Sequence, residues 1–297
     1  MTDWFLIFGC TALGLACFFL VVMLIDGNRF KAVSYELYSR KIKEPYRFVL
    51  LADLHDRCYG KGNEKLIEAI RNFHPDAIFM AGDMMTAKTG CSYHNALRLC
   101  EELTKEYPVY YSMGNHESRL FSRTESYSHL WEVFEKELLE TGVILLRNRG
   151  DEFNRELFVS GLEIDWQYYR HFKSQSMPEE YLKKTLGVPD KEKYQILLAH
   201  NPDYFKEYAR WGADLVLAGH VHGGIMRLPF LGGVINPALR LFPKYDGGSF
   251  RENTSVMILS RGLGMHTLPV RIFNPGELVL ITLKPEKDKE EDDGSVH

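Results

Sequence analysis

Cysteine is sparse and irregularly placed. The 297 residues hold five (Cys10, Cys17, Cys58, Cys91 and Cys100), an odd number with no C-x-x-C pair. That pattern excludes a disulfide framework and a zinc-finger module. A basic excess is also missing: 36 Lys and Arg against 40 Asp and Glu leave a net charge of -4. A general nucleic-acid binder, which needs a basic face, is therefore excluded. No internal repeat is present. What the chain does have is 45% hydrophobic residues, enough to bury a sizeable core in one large domain or two modest ones.

The N-terminus lacks charge. Trp4 to Ile25 is 22 residues without a charged side chain. At ~1.5 Å per residue such a helix reaches about 33 Å, enough for a ~30 Å hydrocarbon core. A cleaved signal would want a basic start, a shorter apolar run and a small-residue cleavage site. Here the start is Met-Thr-Asp, and Ile7 and Gly14 stand where a lipobox before Cys10 or Cys17 would place Leu. The expectation is a retained transmembrane anchor over residues 1–28, followed by a linker over 29–45 in which Ser34–Lys43 reads as a connecting strand or linker. Arg29, Lys31, Arg40, Lys41 and Lys43 follow the span and no basic residue precedes it, so the positive-inside rule favours a cytoplasmic catalytic domain.

Beyond the linker, apolar runs alternate with helical periodicity. Strands are expected at Tyr46–Ala52, Asp76–Ala81 and Val109–Met113, separated by helices over Gly60–Phe73 and Tyr93–Glu106 and followed by one near Ser126–Thr141. Each strand ends in a polar cluster: Asp53-Leu54-His55, Gly82-Asp83, then Gly114-Asn115-His116-Glu117. This is an α/β pattern with crossover helices. The second half is richer in strands, at Leu157–Gly161, Gln195–Ala199, Asp214–Ala218, Ser255–Ser260 and Leu278–Leu283. Pro202 suits the first turn of a helix over Tyr204–Trp211. The globular domain is expected over 46–283, with 284–297 a solvated charged tail.

The apolar run Ala213–Ala218 leads into Gly219-His220-Val221-His222-Gly223-Gly224, so these two histidines also follow a strand. Open α/β sheets bind ligands at the carboxyl ends of their strands, and neutral imidazole is a common metal ligand. Asp53, His55, Asp83, Asn115, His116, His200, His220 and His222 all fall at such ends. This oxygen and nitrogen set without thiolate suits two divalent ions such as Mn²⁺, Fe or Zn²⁺. One carboxylate can bridge two ions, and Asp83, alone in its motif, is the natural candidate.

Taken in order, the five blocks Asp53-Leu54-His55, Gly82-Asp83, Gly114-Asn115-His116-Glu117, His200 and Gly219-His220-Val221-His222 resemble the calcineurin-like metallophosphoesterases across about residues 46–283. The anchor, the Gly223-Gly224 ending with Arg227-Leu228-Pro229, and Ser260-Arg261-Gly262-Leu263-Gly264 resemble its bacterial membrane-anchored (YkuE/YaeI-like) branch. The resemblance implies a double β-sheet sandwich flanked by helices, preceded here by one transmembrane helix. It implies one metal on Asp53, His55, Asp83 and His222, and a second on Asp83, Asn115, His200 and His220. His116 would be the acid that protonates the leaving oxygen. The implied substrates are phosphodiesters or pyrophosphates, lipid- or nucleotide-linked as for a UDP-diacylglucosamine hydrolase. A phosphomonoesterase acting on phosphoproteins and a non-catalytic metal-binding scaffold stand as alternatives. Many relatives carry a further Asp where this chain has Thr86, a change expected to weaken support for a histidine.

His74, His94, His129, His171, His266 and His297 are expected to be surface or structurally satisfied. Two apolar stretches, Ile164–Phe172 and Ile225–Phe242, either pack on the sandwich or form a rim for an acyl chain or bilayer.

Overall fold

The computed structural model describes residues 2–88, 90, 92–122, 124–169, 176–224, 226–228, 231–235, 241–265 and 270–286. In chain order the elements are α1 (Thr2–Gly27), β1 (Phe30–Ser39), β2 (Tyr46–Leu51), α2 (Glu64–Phe73), β3 (Ala77–Ala81), α3 (His94–Thr104), β4 (Val109–Ser112) and α4 (Asn115–Ser122). Then come α5 (Thr124–Glu140), β5 (Ile144–Leu146), β6 (Arg149–Glu152), β7 (Leu157–Leu162), α6 (Tyr181–Leu186), β8 (Tyr194–Ala199), α7 (Phe205–Trp211) and β9 (Leu215–Ala218). The chain continues through β10 (Met226–Leu228), β11 (Gly232–Ile235), β12 (Gly248–Glu252), β13 (Ser255–Leu259) and β14 (Gly276–Pro285).

The expected double-sheet sandwich is present. One six-stranded sheet has the order β1-β14-β2-β3-β4-β5 and the other β12-β13-β9-β8-β7-β6. Side chains alternate along β2 so that Phe48 and Leu50 join the apolar layer between the sheets, with Ile196, Leu198, Leu215 and Leu217 from the second sheet. Val49 and Leu51 point the other way, into a layer with Leu66 and Ile70 of α2 and Leu99 and Leu103 of α3. Val216 and Met257 of the second sheet face outward against Phe205 and Tyr208 of α7. Sheets covered on both faces explain why these strands read as unbroken apolar runs.

β2, β3 and β4 are parallel neighbours, as are β7, β8 and β9. Their carboxyl ends therefore open on one edge of the sandwich, where the polar clusters lie. Just before α7, Pro202–Tyr204 form a 3-10 turn, which Asn201 caps by accepting the Asp203 N–H at 3.0 Å, with Pro202 in its first turn.

The N-terminal segment departs from expectation. Residues 29–45 hold β1, which pairs with β14 in parallel through ten consecutive positions, Phe30 with Gly276 to Ser39 with Pro285. The alternating exposure of β1 marks an edge strand, whose polar half hid it in the sequence. The segment from α1 to the sandwich is thus two residues, Asn28 and Arg29. At the other end β14 runs on through Lys284 and Pro285, so the charge run begins inside the sheet. Residues 287–297 of that run lie outside the described residues. The Ile225–Phe242 stretch contains the antiparallel hairpin β10–β11. The short strands β5, β6 and β12 and the helices α4 and α6 carry too few periodic residues to stand out.

Candidate metal centre

The loops after β2, β3, β4, β8 and β9 meet at the sandwich edge. Backbone bonds lock the first two together: Asp53 N–H donates to Gly82 O and His55 N–H to Asp83 O, both at 3.0 Å. Glu117, fully buried, fastens the next. Its carboxylate accepts from the N–H groups of Asp83 and Met84 at 2.9 Å and Gly114 at 3.0 Å, and from the Tyr111 hydroxyl at 2.7 Å. Burial raises the Glu117 pKa to about 7, with Asp83 adding to it. Glu117 belonged to a recognised motif, but its organising role follows from partners 3–34 residues away in sequence.

Gly114 and Gly219 permit this convergence sterically. A Cβ on Gly114 would lie 2.3 Å from Asp83 Oδ1, and one on Gly219 would lie 2.5 Å from Asp53 Oδ2. Contacts this short exclude any side chain at either position.

The titratable groups form two main clusters. Asp53, His55 and His222 offer ligand atoms within 4.8 Å of one another, as do Asp83, His200 and His220. His222 Nε2 lies 3.4 Å from Asp53 Oδ1 and 3.2 Å from His55 Nε2. His200 Nε2 lies 3.2 Å from Asp83 Oδ2 and 3.8 Å from Asp53 Oδ1, which joins the clusters. His116 forms a third such group with His55 and Asp83, its Nε2 4.0 Å from Asp83 Oδ2. Asn115 begins α4 beside them, buried. All eight residues singled out in the sequence thus meet at one edge.

Hydrogen bonds assign several ring protons. His200 Nδ1–H donates to Ala81 O at 2.7 Å, so the Nε2 lone pair faces the two carboxylates. His116 Nδ1 accepts the Ala87 N–H at 3.0 Å, which leaves the proton of the neutral ring on Nε2. Burial lowers the His116 pKa against the pull of Asp83, and Arg119 lowers it further, which favours that neutral ring. Thr86 places Oγ1 3.0 Å from His55 Nδ1. The histidine support expected to be weakened is therefore supplied to His55 by a hydroxyl.

The donor set fits divalent metal ions. A buried lone pair opposed by two carboxylates is unfavourable unless a cation lies between them. With no metal, the proton must serve as that cation. Burial disfavours the His200 imidazolium, yet Asp83 and Asp53 override it and push its pKa up to about 10. Burial would also raise the Asp83 pKa, but His200, His116 and His55 hold it well below the usual carboxylate range. Asp53 goes up to about 7, burial outweighing the pull of His200. Asn115 Oδ1 is buried without a hydrogen-bond partner, as a metal-directed amide oxygen would be. The His55 and His222 Nε2 atoms, 3.2 Å apart, have the separation of two ligands about 2.1 Å from one ion at an angle near 100°.

The backbone is strained here. Asp53, His55, Asp83, His220 and His222 have φ of 51°, 49°, 53°, 78° and 52°, the left-handed region that non-glycine residues avoid. Such conformations cost about 1–3 kcal/mol each and persist where surrounding structure enforces them.

Outside the site, His74 and His94 are exposed at helix ends, as expected. His171, His266 and His297 lie outside the described residues. Of the first apolar stretch, Tyr168 and Tyr169 are buried in the outer layer, while Arg170, His171 and Phe172 are outside the described residues. In the second, Leu231, Leu241 and Phe242 are 60%, 65% and 60% exposed, whereas Phe230 and Leu239 are outside the described residues. Sequence reasoning assigned no role to Asn274, whose side chain donates to His222 O and Gly224 O at 2.7 Å and holds the histidine loop. A lone Asn in a loop carries no signal that could have found it.

Comparison with known proteins agrees with this geometry. The family model described as calcineurin-like phosphoesterase matches residues 46–224. The metallophosphoesterase YkuE of Bacillus subtilis is 26% identical over 242 residues, covering 80% of this chain and 79% of YkuE. The phosphodiesterase YaeI of Escherichia coli is 27% identical over 202 residues, covering 65% of this chain and 66% of YaeI.

Proposed function

This chain belongs to the calcineurin-like phosphoesterase family of metal-dependent phosphoric ester hydrolases, and we propose that it is a membrane-anchored, two-metal hydrolase of phosphodiester or pyrophosphate bonds. The carrying observation is the junction of the two clusters. Asp83 and Asp53 both approach His200, so two ion-binding groups share one edge of the sandwich. Asp53, His55, Asp83 and His222 would hold one ion, and Asp83, Asn115, His200 and His220 the other. When bound, two such ions supply an activated water and charge neutralisation at the phosphoryl oxygens.

The remaining work falls to the chain. The N–H of His116 donates to Asp83 Oδ1 at 2.7 Å and that of His220 donates to Asp53 at 3.0 Å, which aims both carboxylates. His116 directs its Nε2 proton into the site and donates it to the oxygen of the departing group, where negative charge develops. Glu117 keeps the Asp83 and Asn115 loops in register by binding their N–H groups.

α1 is long and apolar enough to cross a membrane, and as a retained anchor it would hold the site near lipid. The substrate class is lipid- or nucleotide-linked phosphodiesters and pyrophosphates, favoured over short soluble esters by the exposed Leu231, Leu241 and Phe242. The test uses the full chain in nanodiscs, loaded with Mn²⁺, on bis-p-nitrophenyl phosphate and p-nitrophenyl phosphate. Faster turnover of the diester is expected. Faster turnover of the monoester would transfer the reading to a phosphomonoesterase, and hydrolysis of neither would remove it.

A further inference from the structure

Among the described residues outside α1, four of the seven exposed large apolar side chains lie on segments tied to one another, while Tyr38, Leu139 and Val188 stand elsewhere. Leu231, Leu241 and Phe242 belong to the β10–β11 hairpin and the segment after it, and Phe273 is 42% exposed. The hairpin is fastened beside Phe273, since Arg227 N–H donates to Ile272 O at 3.0 Å. Phe242 N–H donates to Val234 O of β11 at 2.9 Å, which ties its backbone to the same hairpin.

Phe273 also touches the span itself. Its ring lies 6.3 Å from that of Phe18 and 6.4 Å from that of Phe19, centroid to centroid. Those residues precede the end of α1 at Gly27 by eight and nine positions, which at ~1.5 Å each is about 12–14 Å along the axis. In a span that ends near Gly27 this depth is hydrocarbon, so a ring packed there stands among acyl chains. Phe273 adopts φ 54°, a left-handed conformation that a bulky residue takes only when held.

Two metal-site loops are bonded to the same helix end. Asp26, only 2% exposed, accepts from the Asn274 N–H at 3.0 Å, and the Asn274 side chain holds the carbonyls of His222 and Gly224. Arg57, two residues beyond His55, donates to Asn28 Oδ1 at 2.8 Å. With β1 starting at Phe30, the joint has no slack.

We propose that Phe273 and the β10–β11 hairpin form a second membrane contact beside α1, a seat on the lipid bilayer that fixes the metal cluster at head-group level of the leaflet where α1 ends. The inference rests on α1 being a membrane span, as proposed above. It deepens that reading: the enzyme would act on phosphoesters presented by its own membrane, with the acyl portion still embedded.

The test replaces Phe273, and in a second variant Phe242, with the photo-crosslinker p-benzoyl-phenylalanine. Aromatic replacement preserves shape in the full chain, here in nanodiscs of phosphatidylcholine and phosphatidylglycerol. Leu13 on α1 is the positive control and Val188, 78% exposed on another loop, the negative. Lipid adducts at 273 and 242 are expected within about threefold of position 13 and at least tenfold above position 188. Adducts at 13 with 273 and 242 no higher than 188 would overturn the seat, and absence of adducts at 13 would overturn the span and the seat with it. Hydrolysis of bis-p-nitrophenyl phosphate is followed in the same preparations. Adducts at 273 without hydrolysis support the seat and count against the phosphodiesterase reading; hydrolysis without adducts at 273 overturns the seat alone.

Discussion

The hydroxyl of Thr86 stands 3.0 Å from Nδ1 of His55, on the side of the ring away from His222. A ligand histidine is oriented by what its other nitrogen touches, and loss of such a partner typically costs 10–100-fold in metal affinity. Thr86→Val keeps the shape and removes the hydroxyl. Competition titration with a chromogenic chelator should show about 10–100-fold weaker binding of one ion. Unchanged affinity would mean that the hydroxyl does not orient His55.

The proposed roles of His116 and Asp83 separate by metal content. His116→Ala should lower turnover by ~10²–10⁴-fold, the usual worth of a positioned proton donor, and leave bound metal in place. Asp83→Ala should remove metal and activity together, because Asp83 stands between His200 and His116. Elemental analysis beside turnover decides it, and loss of both ions from His116→Ala would reassign that residue as a ligand.

Bound metal should also carry part of the stability. Five strained ligand positions and opposed buried charges are tolerable with cations present. An ion at about a thousand times its dissociation constant contributes roughly 4 kcal/mol, which for a domain of this size is about 8–16 °C in Tm. Gently purified protein should hold about two divalent ions per chain, and chelation should lower Tm by about that amount for each ion removed, reversibly with Mn²⁺. An unchanged Tm with no ion bound as isolated or after Mn²⁺ would refute the metal assignment.

Membrane orientation follows from Arg29, Lys31, Arg40, Lys41 and Lys43, all after the span. By the positive-inside rule the expected position of the catalytic domain is the cytoplasm. Fusions of alkaline phosphatase and of a green fluorescent reporter after His297 should give a dark phosphatase and a bright reporter. The reverse pattern would invert the topology.

Legibility in the sequence tracked how local each cause was. β2, β3, β8 and β9 were evident because burial on both faces demands unbroken apolar runs such as Phe48-Val49-Leu50-Leu51. β1 reads only as a connecting strand or linker because an edge strand alternates, and its Lys31 and Glu36 reach solvent. The hairpin around Leu231 gives no sequence signal because three- and four-residue strands carry no period to detect. Thr86 reads as a loss in the sequence because a carboxylate is expected at its position, whereas its hydroxyl reaches His55, 31 residues away.

The sequence by itself determined which residues could bind metal and that they follow strands, since ligand chemistry and apolar periodicity are properties of short segments. It also determined that residues 4–25 can span a bilayer, a matter of length and apolarity. Only the tertiary structure decided that His200 faces Asp53 and Asp83, that Glu117 binds the loops together, and that Asp26 is bonded to Asn274 across 248 residues of chain. Such contacts depend on how two sheets pack and where their loops then fall. No local pattern encodes them, because each partner alone is an ordinary polar residue whose chemistry is set by what folding brings within 3–4 Å.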